Sequence, residues 1–115
     1  MIRRGDILLL SFPFTDLQTT KVRPAVVVSS DPFNKTSADA IFIFITSKEY
    51  TTPFSLRIKR TDPGFKTTGL KLSSTFRISK LMCLEQKLAR RRLGYANKNM
   101  MEKIDSVLKR LFDLT

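Results

Sequence analysis

The side chains with the most chemical reach in this chain are cationic. Arg23 precedes Pro24, a pairing that biases the arginine toward an extended backbone. At a strand entrance its planar guanidinium could then take a phosphate through two parallel hydrogen bonds. Thr46 and Ser47 follow the apolar run Ile41 to Ile45 and offer hydroxyls at a strand end, with Lys48 beside them. Asp16 closes Pro13-Phe14-Thr15-Asp16, a turn-type sequence whose carboxylate more often bonds backbone than takes a proton. Arg77 stands between Phe76 and Ile78, and Arg90-Arg91-Arg92 with Lys87 is the densest basic run. Each has an ordinary competing role: a surface arginine beside a strand, a threonine bonded to its own loop, a solvated charged face.

What is missing narrows the chemistry. The sequence has no histidine and one cysteine, so neither a zinc cluster nor an internal disulfide framework is expected. Cys83 is expected to be a buried hydrophobe. Lysine and arginine number 21 against 10 aspartate and glutamate, a formal charge of +11, which points to a polyanionic partner. Nucleic acid leads, an anionic membrane surface follows and an acidic protein is third; the first and third are compatible.

Elements must hold these residues in place. Five short β-branched and aromatic runs, Asp6 to Phe12, Ala25 to Ser29, Ala40 to Ile45, Ser55 to Lys59 and Ser73 to Ile78, predict a small antiparallel barrel. Ile7 to Leu10, Val26 to Val28 and Ile41 to Ile45 read as central strands, and Leu56-Arg57-Ile58-Lys59 as half exposed. Gly5-Asp6 reads as a turn into the first strand. Thr15 to Val22, Asp31 to Asp39 and Arg60 to Thr68 read as loops. Near the end the period changes: Met100, Met101, Ile104, Val107, Leu108 and Leu111 predict an amphipathic helix, with Asn99 as N-cap and Glu102 its reciprocal partner. At 115 residues a single domain over 1–115 is expected. No run approaches the ~18 apolar residues of a membrane span, and Ile7 to Leu10 is too short for a signal-peptide core, so the expected location is the cytoplasm.

Several motifs carry a family resemblance. In order they are Arg4-Gly5-Asp6-Ile7, Phe12-Pro13-Phe14-Thr15-Asp16 and Lys21-Val22-Arg23-Pro24-Ala25-Val26-Val27-Val28-Ser29, then Phe44-Ile45-Thr46-Ser47-Lys48, Gly69 to Ser74, and Arg92-Leu93-Gly94 before the last helix. This series resembles the PemK/MazF toxin family over nearly the whole chain. The resemblance implies an SH3-like small β-barrel, mainly β with a C-terminal helix, and a homodimer. It implies the toxin of a type II toxin–antitoxin system, an mRNA interferase that cuts single-stranded RNA at short sequences without metal or other cofactor. An antitoxin with an acidic tail would fill the RNA groove. Arg23 matches the family's catalytic arginine and Thr46 its catalytic threonine; Asp16, Gln18, Lys21, Ser47, Lys48, Ser73 and Arg77 fall at candidate RNA-contact positions. Gln18 stands where some members carry a carboxylate proposed as a base, and Ser79 where some carry an aspartate after the arginine matched by Arg77.

RNA can be cut without a metal when its own 2′-hydroxyl attacks the adjacent phosphate. That needs a proton acceptor, a donor for the leaving 5′-oxygen and positive charge on the phosphorane, and it leaves 2′,3′-cyclic phosphate and 5′-hydroxyl ends. Without histidine, arginine, hydroxyls, a carboxylate or the substrate must share those tasks. Two rivals remain on the same barrel: a toxin that poisons DNA gyrase by gripping it, for which Arg23 and Thr46 would be dispensable, and a basic RNA-binding module that binds without cutting. In the dimer expected here, Arg23 and Thr46 of each subunit lie near a shared groove lined by the Thr15 to Val22 and Tyr50 to Thr52 loops.

Overall fold

The computed structural model describes residues 2–12 and 21–115. The β-branched runs form strands β1 (Asp6–Phe12), β2 (Lys21–Val27), β3 (Asp39–Thr46), β4 (Leu56–Ile58), β5 (Ser74–Glu85) and β6 (Ala89–Tyr95). They make one antiparallel sheet in the order β4-β5-β3-β2-β1-β6. Helix α1 spans Asp31–Thr36, helix α2 spans Lys98–Leu111, and short 3-10 turns cover Phe65–Thr68 and Gln86–Leu88.

The class is as expected, mainly β with a C-terminal helix, but the barrel is not closed: among the described residues the two edge strands, β4 and β6, are not paired with each other. β4 is three residues long, and the outer side of β6 is met instead by the turn at Thr67–Gly69. That approach is close. A Cβ added at Gly94 would come 2.1 Å from the Thr67 carbonyl oxygen, and one at Gly69, where φ is +72°, 2.0 Å from that of Leu93.

The sheet has apolar residues on both faces. One face carries Ile7, Val26, Ile43, Ile45, Phe76 and Ile78, covered by Met100, Met101, Ile104 and Val107 of α2; burial of each such side chain contributes roughly 1.5–3 kcal/mol. The alternate residues Leu8, Leu10, Ala25, Val27, Ala40, Phe42 and Leu84 form the second cluster. Alternation with Leu84 turns Cys83 outward, and it is exposed rather than buried.

Four elements differ from the sequence expectation. Residues 31–36, expected as loop, form α1: Ser30 Oγ accepts from the Phe33 amide at 3.3 Å, and Asp31 and Pro32 occupy the first turn, both favourable at a helix start. β5 continues past Ile78 to Glu85, pairing with β3 across a register shift between Ile43 and Phe44. β6, whose run of arginines hid any strand pattern, pairs with β1 on one side only, and an edge position tolerates charge. Finally, α2 is capped by Asn97, whose side-chain oxygen accepts from the Met100 amide at 2.9 Å. Asn99 and Glu102 lie within the helix and are exposed. Among the described residues no helix is long and apolar enough to cross a membrane.

Candidate active site

The β2–β3 ladder pairs Val27 with Phe42, Val26 with Ile43 and Ala25 with Phe44. Continuing that register would set Arg23 opposite Thr46. Pro24 prevents it. Gly5 N donates to Val27 O on the β1 side, whereas Val28 N donates to Ile41 O on β3. By alternation, the N–H that proline lacks is one that would have faced β3. The ladder stops at Ala25, and Arg23 and Thr46 flank the opening that follows.

Two adjoining depressions share Arg23, Ile45 and Thr46. The first, about 280 Å³, is completed by Val22, Pro24, Ser47, Ser74 and the Leu70–Leu72 segment. The second, about 390 Å³, has Phe44 and Met82 as apolar lining and Lys48, Tyr50, Arg77 and Lys80 around them. Its described lining thus carries the cations Arg23, Lys48, Arg77 and Lys80 and no carboxylate. Such a cleft concentrates positive potential on whatever enters it.

Arg77 pairs with Phe44 across the β3–β5 ladder, so it shares that face while Phe76 and Ile78 enter the opposite core. It is not a plain solvated charge: its guanidinium lies 3.9 Å from the centroid of the Tyr50 ring, and both residues are half-buried. The Thr46 hydroxyl oxygen accepts from the Lys48 amide at 3.2 Å, closing a short turn and leaving the hydroxyl hydrogen to donate elsewhere. Arg23 is exposed, with no ion pair or hydrogen bond to another described side chain.

Arg57 holds this arrangement in place. Its Nη1 donates to Ser47 O at 3.0 Å, Lys48 O at 3.2 Å and Thr75 Oγ1 at 3.0 Å. Thr75, fully buried, pairs with Thr46 on one side and Arg57 on the other. One guanidinium therefore ties the turn after Thr46 to the strand beneath it. Sequence reasoning missed Arg57 and Lys80, and placed Tyr50 at the groove only as part of a loop, without its contact to Arg77. The only signal for Arg57 was its outward parity in Leu56-Arg57-Ile58.

The remaining expected contacts divide. Ser47 lines the first depression and Lys48 the second. Lys21, exposed at the start of β2, lines neither, and Ser73 lines neither, its Oγ accepting from the Arg60 amide at 2.9 Å. Of the Tyr50 to Thr52 loop only Tyr50 lines the cleft. Ser79 is exposed. Asp16 and Gln18, with the rest of the segment 13–20, lie outside the described residues. No group of three or more histidine, cysteine, aspartate or glutamate side chains arranged to hold a metal ion occurs among the described residues.

Comparison with known proteins bears on this cleft. The family model for the PemK-like, MazF-like toxin of type II toxin-antitoxin systems matches residues 3–112. A mycobacterial endoribonuclease solved in complex with its cognate antitoxin superposes with a TM-score of 0.79 at 19% identity, over 100% of this chain and 98% of that one. The toxin chain matched in a MazE-MazF crystal structure from Deinococcus radiodurans gives 0.77 at 20% identity, over 99% and 98%. The Mycobacterium tuberculosis toxin MazF-mt6 gives 0.76 at 14%, over 96% and 98%. At these identities the structural likeness is one of fold.

Proposed function

The chain belongs to the PemK-like, MazF-like toxins of type II toxin–antitoxin systems, a family of endoribonucleases, and from that membership we propose that it cuts single-stranded RNA at specific short sequences without a metal ion. The observation that carries this reading is the placement of Arg23 and Thr46 on either side of the interrupted β2–β3 ladder, in a cleft whose described lining is cationic.

The 2′-hydroxyl oxygen attacks the adjacent phosphorus while the bond to the 5′-oxygen breaks. Charge gathers on the non-bridging oxygens, where Arg23 and Arg77 stabilise it and the Thr46 hydroxyl donates a hydrogen bond. With no carboxylate in the described lining, the 2′ proton passes to a non-bridging phosphate oxygen and from there to the leaving 5′-oxygen. The ends are then a 2′,3′-cyclic phosphate and a 5′-hydroxyl. Asp16 is the competing acceptor, and an Asp16→Asn variant that retains its rate removes it from the scheme. Lys48 and Ser47, which line the depressions, contact the RNA beside the scissile phosphate; Lys21, Gln18 and Ser73 are the further RNA contacts of this reading.

The deciding experiment incubates the purified chain with long unstructured RNA in excess EDTA. Discrete cuts with cyclic-phosphate ends are expected, and Arg23→Ala should lower the rate roughly 100- to 1000-fold, the loss typical of one charge-stabilising donor. A 2′-deoxy nucleotide at the cut position should abolish cleavage there. Binding without cutting would instead identify an RNA-binding module.

The functional unit in this reading is one domain over 1–115, working in the cytoplasm as an isologous homodimer under the control of an acidic antitoxin. One mycobacterial endoribonuclease of this fold was solved in complex with its cognate antitoxin, and one Deinococcus structure is a MazE-MazF complex. Light scattering at micromolar concentration should give twice the 13.2 kDa chain mass; a monomer at every concentration overturns the dimer.

A further inference from the structure

The basic run on β6 is not used by the cleavage scheme. Lys87, Arg90, Arg91 and Arg92 line an open depression of about 490 Å³ with Ile2, Leu8 and Ala89. One carboxylate, Asp6, is present there and is already engaged: it accepts from Arg92 Nε at 3.0 Å and from the Arg3 amide at 2.9 Å. Arg92 is thereby fixed as a structural cation. Arg90, Arg91 and Lys87 are exposed; Lys87 meets Glu85 at 3.3 Å in a solvent-exposed pair that a phosphate can displace, and Arg91 has no ion pair among the described residues.

This strip adjoins the cleft. Arg90 Nη1 donates to Ser11 Oγ at 3.1 Å; Ser11 pairs with Val22 of β2, and Val22 lines the first depression beside Arg23. Leu10 likewise pairs with Arg23 on one side and Ala89 on the other. β6 and β2 are therefore two strand spacings apart, about 10 Å. The strip also lacks what a folded protein partner needs. Its large apolar residues, Ile2 and Leu8, are not among the exposed ones, whereas protein interfaces have an apolar core.

We propose that the RNA strand, on leaving the cleavage cleft, crosses the end of β1 at Ser11 and lays its phosphates along Lys87, Arg90 and Arg91, a second, sequence-independent contact that lengthens the footprint without touching the scissile bond. The proposal rests on the RNA-cleaving reading of the cleft. Phosphate contacts of this kind set affinity and register and carry no base information.

The test compares the wild type with a Lys87→Gln, Arg90→Gln, Arg91→Gln triple variant and a second variant with Arg90→Lys and Arg91→Lys. Each is assayed on a short RNA just spanning the cleft and a long RNA with the same central sequence. The glutamine variant should cleave the short RNA at the wild-type rate and show a raised KM on the long one, with kcat and cut site unchanged. The lysine variant should stay near wild type. With each lost cation worth about 0.7 in the log–log salt slope for single strands, the slope should fall by about 2, so the wild type's advantage shrinks about sixteenfold from about 50 to about 200 mM salt. An unchanged KM and salt slope on long RNA overturns the proposal even though short-RNA cleavage upholds the cleft. Loss of binding to an acidic polypeptide with RNA binding intact also overturns it, making the strip a protein-binding surface. Should no RNA be cut, binding of the long RNA to the two variants still decides the question.

Discussion

Arg23 and Arg57 carry the same charge on opposite sides of Thr46 and are bonded in opposite ways. Arg23 lines the cleft and makes no ion pair with a described residue. Arg57 directs one nitrogen to two carbonyls and a hydroxyl of its own chain. It is a positioning residue, acting on substrate only through the Ser47–Lys48 turn. Arg57→Lys keeps the charge but shortens the side chain and loses the rigid, planar guanidinium that sets Nη1 among its three acceptors. The expected outcome is a kcat about tenfold lower, in line with the ~10²-fold loss that a 1 Å misplacement can cause, with KM and melting temperature close to wild type. Faster hydrogen exchange at the Lys48 amide would report the loosened turn; a shift in stability with kcat unchanged would reduce Arg57 to a structural role. The difference between the two arginines also explains what the sequence could show. Arg23 is marked by its neighbour Pro24, a local signal. The acceptors of Arg57 lie 9, 10 and 18 residues away in sequence and meet it only once β3, β4 and β5 are in register. The Tyr50–Arg77 stack is hidden for the same reason.

Elements were legible where their own residues decide them. The runs that became β1 to β5 are rich in Ile, Val and Phe and alternate or stay apolar as half-buried and buried strands do. β6 was not legible because Ala89 to Leu93 reads as a solvated charge run; its strand character comes from β1, which supplies the hydrogen-bonding edge and, through Asp6, an anion for Arg92. The start of α2 shows the converse case, in which two asparagines compete on local grounds. Asn97 has the extended backbone of a cap, φ −70° and ψ 173°, and bonds the Met100 amide, whereas Asn99 is already helical. Asn97→Ala should therefore cost about 1 kcal/mol in urea unfolding, and Asn99→Ala, at an exposed interior position, should be neutral or slightly stabilising. Equal effects from the two would place the cap elsewhere. Because α2 covers the core beneath Ile43 and Ile45, the strand that presents Thr46, Asn97→Ala should also lower the temperature at which cleavage is lost.

At the scale of the molecule, a net charge of +11 on 115 residues repels itself, a cost to the compact state that any bound polyanion relieves. Two of the four described ion pairs offset little of it: the exposed carboxylates of Glu49 and Glu85 meet cations at 3.9 and 3.3 Å, and pairs with an exposed partner contribute about 0–1 kcal/mol. Stability should consequently depend on the partner. A ligand that binds only the native state adds RT ln(1 + [L]/Kd), about 2.7 kcal/mol at a hundredfold excess over Kd. An acidic, unstructured polypeptide, the chemistry expected of the antitoxin, should then raise the melting temperature by roughly 10 °C, taking a few degrees per kcal/mol for a chain of this size. It should also inhibit RNA cleavage competitively, since the cations that hold one polyanion in the cleft hold the other. Salt separates this electrostatic origin from apolar docking. Near 1 M the screening length falls to about 3 Å, and both the thermal shift and the inhibition should largely vanish. If both survive at that ionic strength, the partner is held by burial of apolar surface. The exposed Leu72 beside the cleft, with Phe112 and Leu114 beyond the end of α2, would then be the residues to substitute next.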